Sequence, residues 1–364
     1  MARAQRPVPP PSLRQRGVAV VTALLLTTLA ISIVASLFWQ QQVQVRSMEN
    51  QRLQLQTQWI LRGALDWASL VLRQDAYTSQ YTSLDQVWAT PLAETRLDQY
   101  IERERIEGET FDASLSGNIV DATSRYNLGN LAKDRIKNPA QVRIFGRLLE
   151  NLRLDARLAE RVANFVAQGQ QLPMVSDGQG APGGQAGQGE QAGQGEQNGQ
   201  AGQNGQNGQG GQGGVIMQPV PPTAGVPMPL LMADDLLAVE GVTPEIMAKL
   251  RPFLIVLPAS PTPLNVNTAP PELLSALVPN LSLSEANSLV ARRKTAAWRD
   301  PEMFKSQVPN ASTLTDEFSV KSNWFLVQSR IRLDRAALNA ESLIQRKDGV
   351  IGGGGTDVVW TRQN

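Results

Sequence analysis

The sequence of 364 residues contains no histidine and no cysteine. These absences exclude a Ser-His-Asp triad, a thiol nucleophile, a zinc site of nitrogen or sulfur ligands, haem ligation and a disulfide framework. An enzyme would have to work with carboxylates, lysine, tyrosine or serine alone. We therefore predict that the protein is not an enzyme, has no catalytic residues and uses no catalytic cofactor.

The net charge is close to neutral, at +1 from 34 basic and 33 acidic residues, but it is unevenly distributed. The first 17 residues contain four arginines and no acid, so the remaining 347 residues hold 30 bases against 33 acids. This mildly acidic remainder argues against a general electrostatic footprint for nucleic acid. The length allows one or two folded domains.

An apolar run, VAVVTALLLTTLAISIVASLFW, occupies residues 18–39 without a charge, a glycine or a proline. As a helix it would be about 33 Å long, which matches a hydrocarbon core of about 30 Å. Because arginines precede it and Arg46 is the first charge after it, the positive-inside rule places the N-terminus in the cytoplasm. The plain interpretations are a simple signal anchor and a cleaved secretory signal. Secretory signals have shorter apolar runs of about 7–15 residues, so we predict a transmembrane helix that is retained.

Gly17 lies directly between the basic leader and the apolar run, in RQRG followed by VAVVTALLL. This arrangement resembles the leader of type IV prepilins and type II secretion pseudopilins, in which a membrane aspartyl peptidase cuts after the glycine. A small, flexible residue suits a bond that must lie extended in a peptidase cleft. The resemblance implies that residues 1–17 are a leader, that Gly17–Val18 is the cleaved bond and that the new N-terminus is methylated.

The fifth residue after that bond is Thr22, where most members of this superfamily have a glutamate. In the fibre the glutamate is thought to neutralise the N-terminal amine of the subunit above. A carboxylate at membrane depth costs about 2.5–3.5 kcal/mol on insertion scales, and a subunit at the distal tip has no earlier neighbour to offset that cost. The departure points to one branch, the minor pseudopilin K family, although a polar residue tolerated in an ordinary anchor explains Thr22 equally well.

No glycine or proline follows Trp39 before Gly63, so the membrane helix can continue into the aqueous phase. One largely apolar stripe at helical spacing predicts a helix from about residue 18 to about residue 72, some 80 Å long. A long N-terminal helix of this kind is typical of the pilin architecture. The alternative, a coiled coil of a generic anchored protein, would need more heptads than this segment contains. The stripe comprises Leu53, Thr57, Ile60, Ala64, Trp67 and Val71. The positions predicted to bury against the membrane and partner helices are Val21, Leu25, Leu29, Ile33 and Leu37.

A charged stretch at 102–109 alternates glutamate and arginine, which is typical of a solvated face rather than of paired catalytic acids. Strand-like alternation follows from Phe111, with Gly117-Asn118 as the predicted turn before a returning strand at 119–128. The stretch IVDATSRYNLGNL, at 119–131, resembles a segment that recurs in pseudopilin K before its helical domain. Asn138-Pro139 then opens two amphipathic helices that end near residue 169.

Glycine, glutamine, alanine and asparagine make up almost all of residues 177–214, which hold 16 of the 30 glycines. This composition cannot bury a core, so we predict a disordered loop that continues through a proline-rich run to residue 229. No strand precedes the loop and no lysine lies within it, which excludes a phosphate-binding fingerprint.

The stretch LNVNTAPPELLSALVPNLSLSEANSLVARRK, at 264–294, resembles tandem helix-hairpin-helix modules and the competence DNA receptor. Such modules bind phosphates through the backbone N–H groups of a Gly-hydrophobic-Gly hairpin. Here neither hairpin position has the second glycine, so we favour a packing module and predict no nucleic-acid partner, with a membrane-anchored DNA receptor as the alternative. The hairpins are Asn280-Leu281-Ser282 and Gly241-Val242-Thr243, and the basic cluster is Arg292, Arg293 and Lys294.

Strands are predicted at 324–333, 340–345 and 356–361 from the alternation of apolar and polar residues. The fold class is therefore α+β, with a pilin-like N-terminal helix against an antiparallel sheet and an inserted helical domain. The predicted parts are a leader at 1–17, a membrane helix at 18–39, pilin-like segments at 40–130 and 306–364, and the helical domain at 131–305.

Motif order along nearly the whole chain resembles the type II secretion minor pseudopilin K family. The resemblance implies an inner-membrane, single-pass protein with its bulk in the periplasm, at the tip of the pseudopilus. It implies as partners the minor pseudopilins I and J, other pseudopilins, prepilin peptidase, secreted substrates and the outer-membrane secretin. It also implies structural calcium, but no spacing like a calcium loop selects ligands among the acids Asp121, Asp300, Asp316 and Glu317.

Overall fold

The computed structural model describes residues 16–97, 112–170, 227–347 and 355–363, without the side chains of Arg16, Gly17 and Pro309. The charged stretch at 102–109 and the predicted loop up to residue 226 lie outside the described residues. The helices are α1 (Arg16–Thr78), α2 (Pro139–Asn151), α3 (Leu158–Gly169), α4 (Pro244–Leu250), α5 (Pro271–Leu277), α6 (Leu283–Arg293) and α7 (Pro301–Gln307). The strands are β1 (Leu92–Arg96), β2 (Ala113–Asp121), β3 (Tyr126–Asn127), β4 (Ala132–Lys133), β5 (Ile136–Lys137), β6 (Leu254–Ile255), β7 (Leu264–Asn265), β8 (Phe318–Ser319), β9 (Trp324–Leu333), β10 (Ala336–Arg346) and β11 (Thr356–Gln363).

Helix α1 is 63 residues long, or about 95 Å, and includes the whole predicted helix. Its second half packs on a five-stranded antiparallel sheet of order β1-β2-β9-β10-β11. The helix contributes a buried face at i, i+4, i+7 and i+11, and the sheet contributes the inward residues of its central strands. The α+β fold class is therefore confirmed. The core of this layer includes Leu61, Leu65, Ala68, Leu72, Phe325, Val327, Ile331 and Ile344.

The core face of α1 is rotated from the predicted stripe. Leu61, Leu65 and Ala68 are buried, whereas Trp67 is 47% exposed. A helix lies close to a sheet only where small or compact side chains meet the strands, and an indole at the centre would hold the two apart. Trp67 is therefore displaced to the border of the buried face, and Ala68 takes the central position.

The predicted turn at Gly117-Asn118 is wrong, because both residues lie inside the continuous strand β2. Gly117 pairs with Ser329 of β9 on one side and with Leu92 of β1 on the other. A Cβ at this position would lie 2.4 Å from the carbonyl oxygen of Gln328. The glycine is thus required by a close approach of two strands and not by a reversal of the chain.

Two compact units divide the chain, one from residues 1–126 and 263–364 and the other from residues 127–262. The predicted helical domain at 131–305 therefore extends too far, because residues 263–305 belong to the unit that contains the sheet. The reason is local pairing, because β7 runs parallel to β8 and the Asn265 amide donates to the backbone oxygen of Thr82. The predicted strands at 324–333, 340–345 and 356–361 are confirmed as β9, β10 and β11.

The second unit has its own core between α2 and α3. Asn138 caps α2 by accepting from the N–H groups of Ala140 and Gln141, as its sequence position predicts. The Asn130 side chain makes a two-way amide pair with the backbone of Thr262 at 2.7 and 2.8 Å, which closes the ends of this unit on each other. The buried residues include Phe145, Leu148, Leu149, Val162 and Ala163.

Candidate functional site

The predicted cleavage bond, Gly17–Val18, lies in the first turn of α1. The residues up to 15 lie outside the described part of the chain. Val18 is exposed, and the apolar window that begins there has a mean hydropathy of 2.5 with none of it buried by the rest of the protein. Among the described residues, α1 is the helix long and apolar enough to cross a membrane.

The Thr22 hydroxyl finds its hydrogen-bond acceptors within its own helix. Its hydroxyl donates to the backbone oxygens of Val18 and Ala19, each at 3.0 Å. A threonine that bonds back to the preceding turn needs no external partner at membrane depth, whereas a carboxylate at the same position would need one.

The five predicted membrane and partner positions are all exposed, and so are the apolar residues between them. A helix that is apolar on every side suits a lipid or helix-bundle environment and shows no preferred face. The structure therefore does not separate these positions from their neighbours. They are Val21, Leu25, Leu29, Ile33 and Leu37.

Beyond the membrane segment, α1 has a second apolar face on the side opposite the sheet. We call it the outer stripe and define it as Leu55, Trp59, Trp67, Leu70 and Tyr77, all of them exposed. At about 100° per residue these positions fall within roughly a third of the helix circumference. Several large exposed apolar side chains on one helix face are typical of an interaction site, and the exposed charges Asp66 and Arg73 lie in the same sector. Sequence reasoning missed it because it followed the one stripe that also contained Ile60 and Val71.

The end of α1 is joined to the sheet by a buried ion pair. Arg346 of β10 donates to Asp75 at 2.8 Å, and both side chains are buried. The guanidinium also donates to the Thr82 hydroxyl and to the Ser322 carbonyl, and it stacks over the Phe325 ring at 4.9 Å. Burial raises the pKa of Asp75 above its ordinary value, against the hydrogen bond and charge of Arg346. No sequence signal connects two residues that are 271 positions apart.

Two sequence motifs, from 119–131 and from 264–294, meet at Asp121. This carboxylate is 1% exposed and accepts from the N–H and hydroxyl of Thr123, each at 2.8 Å. On its other oxygen it accepts from the Asn265 amide at 2.7 Å and from the Thr268 hydroxyl at 2.6 Å. Four donors therefore occupy both oxygens, so the motifs serve to join the sheet to the segment after residue 263.

The acids considered as calcium ligands do not form one cluster in the described part of the chain. Asp121 is filled by donors, Asp300 caps α7 through the N–H of Met303, and Glu317 accepts from the N–H groups of Thr315 and Asp316. Within the described residues no three acidic side chains come together as a metal site. Structural calcium stays a prediction of the family resemblance.

The helix-hairpin-helix segment does not present the features that bind DNA. The N-terminus of α6 is already occupied by Glu285, which accepts from the N–H and hydroxyl of Ser282 at 2.9 and 2.7 Å. These hydrogen bonds lower the pKa of Glu285, so a negative charge stands where a phosphate would bind. Arg293 is buried, donates to the Val266 carbonyl, and has its pKa lowered to about 10 by burial. Only Arg292 and Lys294 of the basic cluster are exposed.

A long N-terminal helix, apolar throughout its first part and packed by its second part on an antiparallel sheet, is the pilin-like arrangement and is consistent with a single-pass membrane anchor. The family model for type II secretion system protein K matches residues 264–327, the segment that begins with β7. Curated relatives named type II secretion system protein K are similar over nearly their whole length. The protein from Pseudomonas aeruginosa PAO1 is 26% identical, over 93% of this chain and 91% of the relative, and the Klebsiella pneumoniae protein is 25% identical, over 93% and 95%.

A solved structure has the same fold. The GspK-GspI-GspJ complex of the enterotoxigenic Escherichia coli type 2 secretion system matches with a TM-score of 0.59 at 19% identity, covering 88% of this chain and 99% of that chain. The chain is therefore similar, over most of its length, to proteins named type II secretion system protein K. The comparisons do not support the alternative of a DNA receptor, and the family is a structural component of secretion rather than an enzyme family.

Proposed function

We propose that this protein is the minor pseudopilin at the tip of the type II secretion pseudopilus, where it nucleates or caps assembly for the export of folded exoproteins across the outer membrane. The main observation behind this proposal is the outer stripe, which is an exposed apolar helix face that follows the apolar membrane segment on the same helix. A helix from another membrane-anchored subunit is the natural cover for such a face.

The partners proposed are the minor pseudopilins I and J. A relative of the same fold is described as part of a GspK-GspI-GspJ complex, which supports this choice. Further partners are other pseudopilins, prepilin peptidase, secreted substrates and the outer-membrane secretin. The proposed location is the inner membrane, with one span, a cytoplasmic N-terminus and the bulk of the chain in the periplasm.

The tip position has two supports in the chain itself. Thr22 has its hydroxyl satisfied by its own helix and so does not need the amine of a preceding subunit. The chain divides into two compact units rather than one, and a subunit of that bulk would obstruct stacking within the shaft of a fibre.

The mature chain is expected to begin at Val18. Intact-mass measurement of the protein purified from membranes should show a mass without residues 1–17, with one added methyl group. Gly17→Leu should retain the full leader, because a bulky side chain replaces the residue before the cut, whereas Gly17→Ala should still be processed at least in part. A wild-type chain that starts at Met1 or beyond Trp39 would contradict the proposal.

The full-length chain is expected to co-purify with pseudopilins I and J of the same secretion system. The three proteins would be co-expressed, solubilised in detergent with calcium present, and captured through a tag on this chain. A major pseudopilin expressed at the same level serves as the specificity control. Absence of both I and J from the captured material would count against the tip assignment.

A further inference from the structure

We draw no further inference here: the strongest candidate, the exposed apolar strip of Met228, Leu231, Met232 and Leu237 that precedes helix α4 in the second unit, is a surface for which nothing in the described part of the chain shows what covers it.

Discussion

Replacing Asp121 by alanine is expected to lower the free energy of unfolding of the first unit by about 3–5 kcal/mol. The substitution removes the acceptor of four hydrogen bonds at a site that is 1% exposed. The amide of Asn265 and the hydroxyls of Thr123 and Thr268 would lose that acceptor away from water. A buried donor left without an acceptor costs about 1–3 kcal/mol, and partial relaxation keeps the total below the simple sum.

Chemical unfolding of the full-length chain in detergent, followed by tryptophan fluorescence, measures this loss. Asp316→Ala is the matched control, because Asp316 is exposed and its removal should change stability by less than about 0.5 kcal/mol. Asp121→Asn should fall between the two, since an amide accepts on one side only. A stability change below about 1 kcal/mol for Asp121→Ala would show that the two motifs do not join through this carboxylate.

Asp75→Ala is expected to cost about 3–5 kcal/mol, because it leaves the Arg346 guanidinium buried without its counter-ion. Exchange of both residues for apolar ones, Asp75→Leu with Arg346→Met, should be close to neutral or stabilising, since the desolvation of both charges is then avoided. The exposed pair of Glu49 and Arg335 is the control, and Glu49→Ala should cost less than about 1 kcal/mol. If the double variant were as unstable as the single one, the hydrogen bonds of Arg346 to Thr82 and Ser322 would be the dominant contribution.

The pH dependence of stability gives a second measurement of the same pair. Burial raises the pKa of Asp75 above its ordinary value in the folded chain. The protonated form of Asp75 stabilises the fold fully at pH values below the pKa of Asp75 in the unfolded chain, and this contribution is lost as the pH rises through its pKa in the folded chain. Between these two pKa values, the free energy of unfolding of the wild type should decrease with pH relative to that of Asp75→Asn. An equal slope for both proteins would mean that Asp75 does not titrate differently on folding.

Local patterns predicted much of the secondary structure, because caps and periodicity act within a few residues. Asn138 and Ser282 cap their helices as expected, and the alternation at 324–333 is strand β9. Gly117 was misjudged because a glycine followed by asparagine has the same local signal in a turn and at a close approach of strands. Only the position of the Gln328 carbonyl separates the two cases.

The features of the candidate site also fall into two groups, those that depend on contiguous residues and those that depend on packing. The apolar run, Gly17 before it and Thr22 within it are features of contiguous residues, so the predictions made from them needed the sequence alone. The face of α1 that remains open depends on where the sheet packs, which is set by strand β2 and by strands β9 and β10, the latter two more than 250 residues further along the chain. The predicted stripe therefore contained Trp67, a residue that the structure assigns to the outer surface.

By itself, the sequence determined that the chain has no histidine or cysteine chemistry, that its N-terminal helix is apolar enough to cross a membrane, and that short motifs carry a family resemblance. Those features depend on composition and on neighbours within one or two helical turns. Tertiary structure alone decided that Arg293 is buried, that Asp121 and Asn265 meet, that Asp75 pairs with Arg346 and that Trp67 is exposed. Each of these depends on contacts between segments distant in sequence, and the energy of burial that selects them is a property of the packed chain.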